Sequence, residues 1–309
     1  MYKKFFGLRE NPFNVNPDPR FLFSTRHTEE AFAVLTYGIQ SRKGFITLTG
    51  EVGTGKTTLL NKLLDWLHDQ SLATAFVFNS RLNVTQFLDF MMADFGIPCD
   101  TRMKSQVLIR LNQWLLDRYR AGETAVLIVD EAQNLSPQVL EEIRLLTNLE
   151  TATEKLLQIV LSGQPELEQK LNQPGLRQLR QRITLRCRTY PLTQEETAGY
   201  IQERLRVAGS DGVALFAPDT IEAVHRYARG IPRVVNLLCE HALISAFVDQ
   251  KQPVQVATID EVAREFDLHR IDPIAQPVVE PTGASGENAS LMEALQSLAT
   301  LVDRLRRPS

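Results

Sequence analysis

A chain of 309 residues with 43% apolar content is long enough to bury a large core, roughly two domains' worth. Its formal charge of -3 and pI near 6.0 give no global basic signature, so a nucleic-acid partner is not favoured and not excluded. Three scattered cysteines, Cys99, Cys187 and Cys239, argue against a disulfide framework and read as reduced thiols of a cytosolic protein; five dispersed histidines make no HExxH pair.

Residues 1–7 hold two lysines with no apolar run behind them, which is not a signal-peptide pattern. No apolar run approaches the roughly 18–20 residues a membrane-spanning helix needs, so no integral membrane segment is expected. From Phe5 to Phe23 aromatics alternate with prolines. The prolines forbid a long helix while the aromatics demand burial, which predicts an extended arm packed on the first domain. Helical spacing follows at Ala31, Leu35 and Ile39.

The middle of the chain alternates apolar runs with helical ones. Strands are predicted at 45–49, 74–78, 124–129, 156–161 and 183–190, with helices over about 56–68, 84–95, 104–121 and 137–149. Strands apolar on both faces and separated by helices imply a parallel sheet covered on both sides. After Pro191 the strands stop. Thr193 and Glu196 form a capping-box pattern for a helix to about Ala208, and helices follow near 219–230, 232–249 and 258–266. Residues 270–290 turn to Pro, Gly, Ser and Glu, a linker composition. Leu291, Leu295, Leu298, Val302 and Leu305 then repeat at 4-3-4-3 spacing, which suits either a docking or self-association helix or a frayed solvated tail.

Two motifs carry the chemistry. Gly50, Glu51, Val52, Gly53, Thr54, Gly55, Lys56 and Thr57 match GxxxxGK[ST] in full, after a strand and at the start of a helix that continues with Thr58. Backbone N–H groups of such a loop surround the phosphates of a nucleotide, Lys56 reaches them as a point charge, and the Thr57 hydroxyl ligates Mg2+. Lying 74 residues beyond Lys56, the run Val126–Val129 ends in Asp130 and Glu131. An acidic pair there suits Asp130 to hold Mg2+ and Glu131 to polarise the attacking water. Together they predict an α/β P-loop NTPase with a parallel sheet, followed by a small all-helical lid, binding ATP and Mg2+.

The remaining positions leave alternatives open. At the tip of the 156–161 strand, Gln164, with Ser162 second, could sense the γ-phosphate, or the position could be an ordinary loop. Arg177, Arg180, Arg182, Arg186 and Arg188 crowd into twelve residues. They read as an arginine finger offered to a neighbouring subunit (Arg182 first, Arg180 second), as a solvated face, or as a DNA contact. Pro232 suits a helix N1 position, and Arg233 on that first turn could swing over the nucleotide.

With these residues in view, the chain resembles the ExeA-like group of bacterial AAA+ ATPases, general secretion pathway protein A and its relatives. The resemblance covers about residues 1–268. It rests on Phe6-Gly7-Leu8, Pro12-Phe13, Asn16-Pro17-Asp18-Pro19, both motifs above, Asp130-Glu131-Ala132-Gln133, Asn148-Leu149-Glu150-Thr151, Gly163-Gln164-Pro165-Glu166-Leu167 and Gly230-Ile231-Pro232-Arg233-Val234-Val235-Asn236. It implies an AAA+ core over 1–190 with the N-terminal arm, and a helical lid over 191–269. A linker at 270–290 and an amphipathic helix at 291–307 complete the expected order. It further implies Arg233 as the sensor-2 arginine and Gln164 at the sensor-1 position, while the finger assignment is looser. Members assemble secretins, pili and exopolysaccharide export systems, so a homo-oligomer with shared ATP sites and envelope partners is implied. The expected location is cytoplasmic, with recruitment to the inner membrane by a partner. A more distant branch resembles the ATP-dependent regulators of transposition, which keeps a DNA-bound reading as the alternative.

Overall fold

The computed structural model describes residues 2–268 apart from 15, 17, 79–80, 99–100, 102 and 211–213. The expected linker at 270–290 and helix at 291–307 lie outside the described residues, as does Cys99. Five strands, β1 (Phe45–Thr49), β2 (Ala73–Val77), β3 (Ala125–Val129), β4 (Leu157–Gly163) and β5 (Leu185–Arg188), form one sheet ordered β2-β3-β4-β1-β5. All four pairings are parallel. Successive side chains alternate faces, so Ala125, Leu127 and Val129 join one apolar cluster while Val126 and Ile128 join the opposite one. The unbroken apolar runs in the sequence are the signature of that two-sided burial.

Helices α2 (Arg26–Gln40) and α3 (Lys56–Asp69) cover one face. The other face carries α4 (Val84–Asp94), α5 (Lys104–Arg120), α6 (Pro137–Leu146), α7 (Pro165–Leu171) and α8 (Arg177–Arg180). Helix starts follow local chemistry: Thr25, Asn83, Ser136 and Thr193 each accept a backbone N–H at the third helical position. The short helix α7 was not expected; Pro165 at N1 starts it directly from the tip of β4. The last strand is shorter than the 183–190 span expected, although the N–H groups of Thr184 and Thr189 on either side of it still bond to the Phe45 and Thr49 carbonyls of β1.

Beyond the sheet come α9 (Gln194–Val207), α10 (Pro218–Ala228), α11 (Pro232–Val248) and α12 (Val256–Glu265), gathered around their own apolar cluster. The N-terminal arm departs from expectation here. It starts with a short helix, α1 (Tyr2–Phe5), and Tyr2, Phe5, Phe6, Leu8, Phe13 and Phe23 pack on this helical part, whereas Leu22 joins the α2–α3 cluster on the sheet. Both sheet faces are already covered, so the arm's aromatics take the remaining apolar seam. Phe5 meets Phe247 edge-on with centroids 5.6 Å apart, and Phe13 meets Phe216 at 5.9 Å. The Tyr2 hydroxyl donates to Glu240 at 2.8 Å.

Phe13 is fully buried. Phe13→Ala is expected to lower unfolding free energy by about 3–5 kcal/mol in a denaturant titration, the range for truncating a core aromatic. A loss below about 1 kcal/mol would show that the arm is not part of the core.

Candidate functional site

Strand order and register bring the two motifs together. Because β4 lies between β3 and β1, the carboxyl ends of all three open onto one sheet edge. Thr49 is level with Gly163 and Val129 with Leu161, so Gly50, Asp130 and Ser162–Gln164 leave the sheet side by side. This is the edge at which open parallel sheets present loops to ligands.

The loop from Gly50 closes into the N-terminus of α3. Gly55 takes φ +96°, a left-handed value that favours glycine, and supplies no side-chain cap. The first N–H groups of the helix are thereby left to an external acceptor. Gly53 has φ +80° and lies so close to α11 that an added Cβ would stand 2.8 Å from the Cβ of Arg233. A loop of this shape, with a helix N-terminus behind it and no side chains in the way, fits a phosphate group. Lys56 is buried, and its Nζ donates to the carbonyls of Gly50 at 2.7 Å and Glu51 at 2.9 Å. Burial pulls its pKa below the ordinary lysine value, opposed by the carboxylates of Glu131, Asp130, Glu51 and Glu166.

The acidic pair divides. Asp130 is buried, and its Oδ1 accepts from the Ser162 hydroxyl at 2.7 Å and from the Glu131 N–H at 2.9 Å. Glu131 stands forward in the cleft with φ +52°, a left-handed conformation that costs a non-glycine residue about 1 kcal/mol. Its Oε2 accepts from Nε2 of Gln133 at 2.5 Å and of Gln164 at 3.2 Å. Of the two polar candidates at the β4 tip, Ser162 therefore holds Asp130 from behind and Gln164 holds Glu131 in the cleft.

A cleft of roughly 390 Å³ is lined by Val52 to Thr58, Glu131, Gln164 and Arg233, together with arm residues around Asn14–Thr28 and Tyr190–Leu192. Arg233 is exposed on the first turn of α11, and its N–H donates to the Gly53 carbonyl at 3.3 Å. Arg180 and Arg182 are not brought here. They precede β5, and Thr184 just before it bonds to Phe45 at the opposite end of β1, about 16 Å along the strand from Gly50. Arg180 donates to Asn172 at 3.0 Å, and Arg182 lies near Glu150. Neither side chain reaches the cleft of its own chain.

Sequence reasoning passed over three parts. Gln133 was quoted within a motif without a role; its position two residues after a left-handed turn is what aims it back at Glu131. The arm was read as packing and turns out to wall the cleft. Tyr200 and Arg204 were absorbed into a helix, although an arginine beside Ile201 and Leu205 on an apolar stripe was a legible anomaly.

Comparison with known proteins follows the geometry. Residues 39–171 match the AAA domain family. Over 83% of this chain and 71% of the other, the fold superposes on the ORC2 protein of Aeropyrum pernix with a TM-score of 0.62 at 16% identity. Cdc6p of Pyrobaculum aerophilum gives 0.62 at 18% identity, over 80% of this chain and 70% of that one. This is an AAA-type P-loop fold. The chain is also 46% identical over 248 residues to general secretion pathway protein A of Aeromonas hydrophila, covering 80% of this chain. It spans 45% of that protein's length. The resemblance read from the motifs thus holds across the sequence at large.

The buried carboxyl of this AAA domain gives a pH test. Burial raises the Asp130 pKa, partly offset by the bonds from Ser162 and Glu131. The folded state therefore binds its proton more tightly than the unfolded chain, whose value is near 3.8. The cost of the ionised form is complete above the folded value and disappears below the unfolded one. Asp130→Asn should accordingly raise the denaturation midpoint of the nucleotide-free protein at pH 7, with the advantage shrinking towards pH 4. An advantage that grows on acidification would mean that the ionised carboxylate is a stabilising partner.

Proposed function

We propose that this chain binds Mg·ATP in the cleft and hydrolyses it to drive a conformational change. The observation that carries the reading is the convergence of Lys56, Asp130, Glu131 and Gln164 at one sheet edge, beside the unblocked N-terminus of α3. Bound nucleotide supplies the anhydride to be cleaved. Lys56 exchanges the Gly50 and Glu51 carbonyls for phosphate oxygens, and backbone N–H groups of Gly53 to Thr58 complete the cradle. Thr57 and Asp130 would hold Mg2+, which would offset the negative charge of the phosphates. Glu131 orients a water and takes its proton, with Gln133 and Gln164 fixing the carboxylate. Arg233 reports the phosphate state to α11.

The distance of Arg182 from its own cleft supports action in trans, in a homo-oligomer whose sites are shared, with Arg180 as the alternative finger. The name of the Aeromonas hydrophila relative supports service to a secretion system, within the envelope roles (secretion, pilus or exopolysaccharide) that the motif resemblance implies. No helix among the described residues is long and apolar enough to cross a membrane. In this reading the ATPase works in the cytoplasm and a partner recruits it to the inner membrane.

Lys56→Ala should abolish ATP binding, and Glu131→Gln should keep binding while lowering turnover by about 10²–10⁴-fold. Undiminished turnover in Glu131→Gln would remove its role as base. Mixing inactive Arg182→Ala with inactive Glu131→Gln subunits should restore part of the activity; formed oligomers without rescue would argue against shared sites. The rate should rise steeply with protein concentration and ignore double-stranded DNA. Stimulation by DNA that fades with salt would instead favour the transposition-type reading.

A further inference from the structure

The arm motifs Pro12-Phe13 and Asn16 to Pro19 have no part in the reaction proposed above, and neither does the buried guanidinium of Arg204 on α9. Arg204 is only 6% exposed, yet no carboxylate lies within ion-pair distance among the described residues. Its hydrogen bonds go to neutral oxygens instead. Nε donates to the carbonyl of Pro12 at 2.5 Å, Nη2 to that of Asn14 at 3.2 Å, and Nη1 to the Tyr200 hydroxyl at 2.6 Å. The guanidinium stacks 4.7 Å from the ring centroid of Phe21, so three separate points of the arm converge on one side chain.

Asp18 acts on this cation only from beyond ion-pair distance, so burial of the guanidinium is expensive, and a neutral apolar residue would suffice in a purely structural seam. What the charge achieves is a connection. The Tyr200 hydroxyl, fed by Arg204, donates to Oδ1 of Asn236 at 2.9 Å. Asn236 lies one helical turn after Arg233 on α11, and the N–H of Arg233 meets the phosphate loop at Gly53. Arg204, Tyr200, Asn236 and Arg233 all face the same cleft. The tyrosine and asparagine are buried, so their bond has no water to replace it without cost.

We propose that Arg204 is a positioning residue that clamps the N-terminal arm over the nucleotide cleft and, through Tyr200 and Asn236, sets the angle at which α11 presents Arg233 to the phosphates. This rests on the nucleotide reading above and adds to it the arm and the relay. The consequence is selective: loss of the relay should weaken discrimination between ATP and ADP more than it weakens nucleotide binding as such, because the third phosphate is what Arg233 would contact.

The test is a double-mutant cycle read as the ratio of ADP to ATP dissociation constants, measured by calorimetry on the full chain. Tyr200→Phe keeps the ring and removes the bridging hydroxyl; Arg233→Ala removes the end of the relay. Tyr200→Phe should lower the ATP preference about five- to tenfold, the scale of one buried hydrogen bond. Adding it to Arg233→Ala should then cost little more, as expected for groups acting as one unit. Arg204→Met should act like Tyr200→Phe, whereas Arg204→Lys should rescue only in part, since an ammonium cannot reproduce the planar fork. An unchanged preference in Tyr200→Phe, or effects that multiply independently with those of Arg233→Ala, would overturn the relay. Lys56→Ala separates the two levels: if it leaves ATP affinity unaltered, the nucleotide reading fails and the relay with it.

Discussion

Everything at the site depends on the parallel pairing of β4 with both β1 and β3. That pairing is what turns three loops distant in sequence into one surface: the glycine-rich turn, the acidic pair and the Ser162–Gln164 tip. Neither motif could act alone. A phosphate loop without the neighbouring carboxylates is a binding site, and an acidic strand end without the loop is an ordinary surface. The sheet is buried on both faces, so its strands cannot slip by one residue without inverting every apolar side chain. Register in the core is therefore also register in the cleft.

A second theme is the way charge is buried. Lys56, Asp130 and Arg204 are each largely withdrawn from water, and each is held by carbonyls or hydroxyls rather than by direct ion pairs. A tight salt bridge would satisfy them, and would also leave little to gain from a ligand. Dipolar partners offset part of the desolvation and can be exchanged, which suits Lys56 and Asp130, whose partners change when a nucleotide arrives, while Arg204 keeps the same kind of partner as a fixed clamp. Glu131 illustrates the same economy: a left-handed backbone and two amide donors hold a carboxylate at the front of the cleft instead of letting it find a cation.

How much of this was readable in the sequence follows from range. The phosphate loop, the acidic pair and the strand alternation are local patterns, written in residue types at fixed spacing, and they predicted the sheet and the residues at its edge. The capping box at Thr193 and Glu196 was legible for the same reason. What escaped was non-local. Nothing near Phe13 says whether its ring will meet a sheet or a helix, because that is decided by which apolar faces are already covered. The expected packing of the arm on the first domain holds for Leu22, while the aromatics from Phe5 to Phe13 go to the helical part. Arg182 could be ranked as a finger candidate from spacing, but only the β1–β5 register removes it from its own cleft. Gln133 needed the turn at Glu131, a backbone conformation that residue type does not announce.

The arm also shapes how the chain reaches its native state. Tyr2 meets Glu240 across 238 positions, and Arg204 meets Pro12 across 192. The arm residues are made well before their partners and are thus among the last to find them. While the sheet assembles, Phe5, Phe6 and Phe13 have no native surface to occupy, because it is built by α9 to α11. Such long-range closure slows folding and leaves an aromatic segment open to self-association during synthesis. Pro12 among those aromatics, and Pro17 and Pro19 just after them, suppress strand formation, and so protect the nascent chain against the hazard its own topology creates.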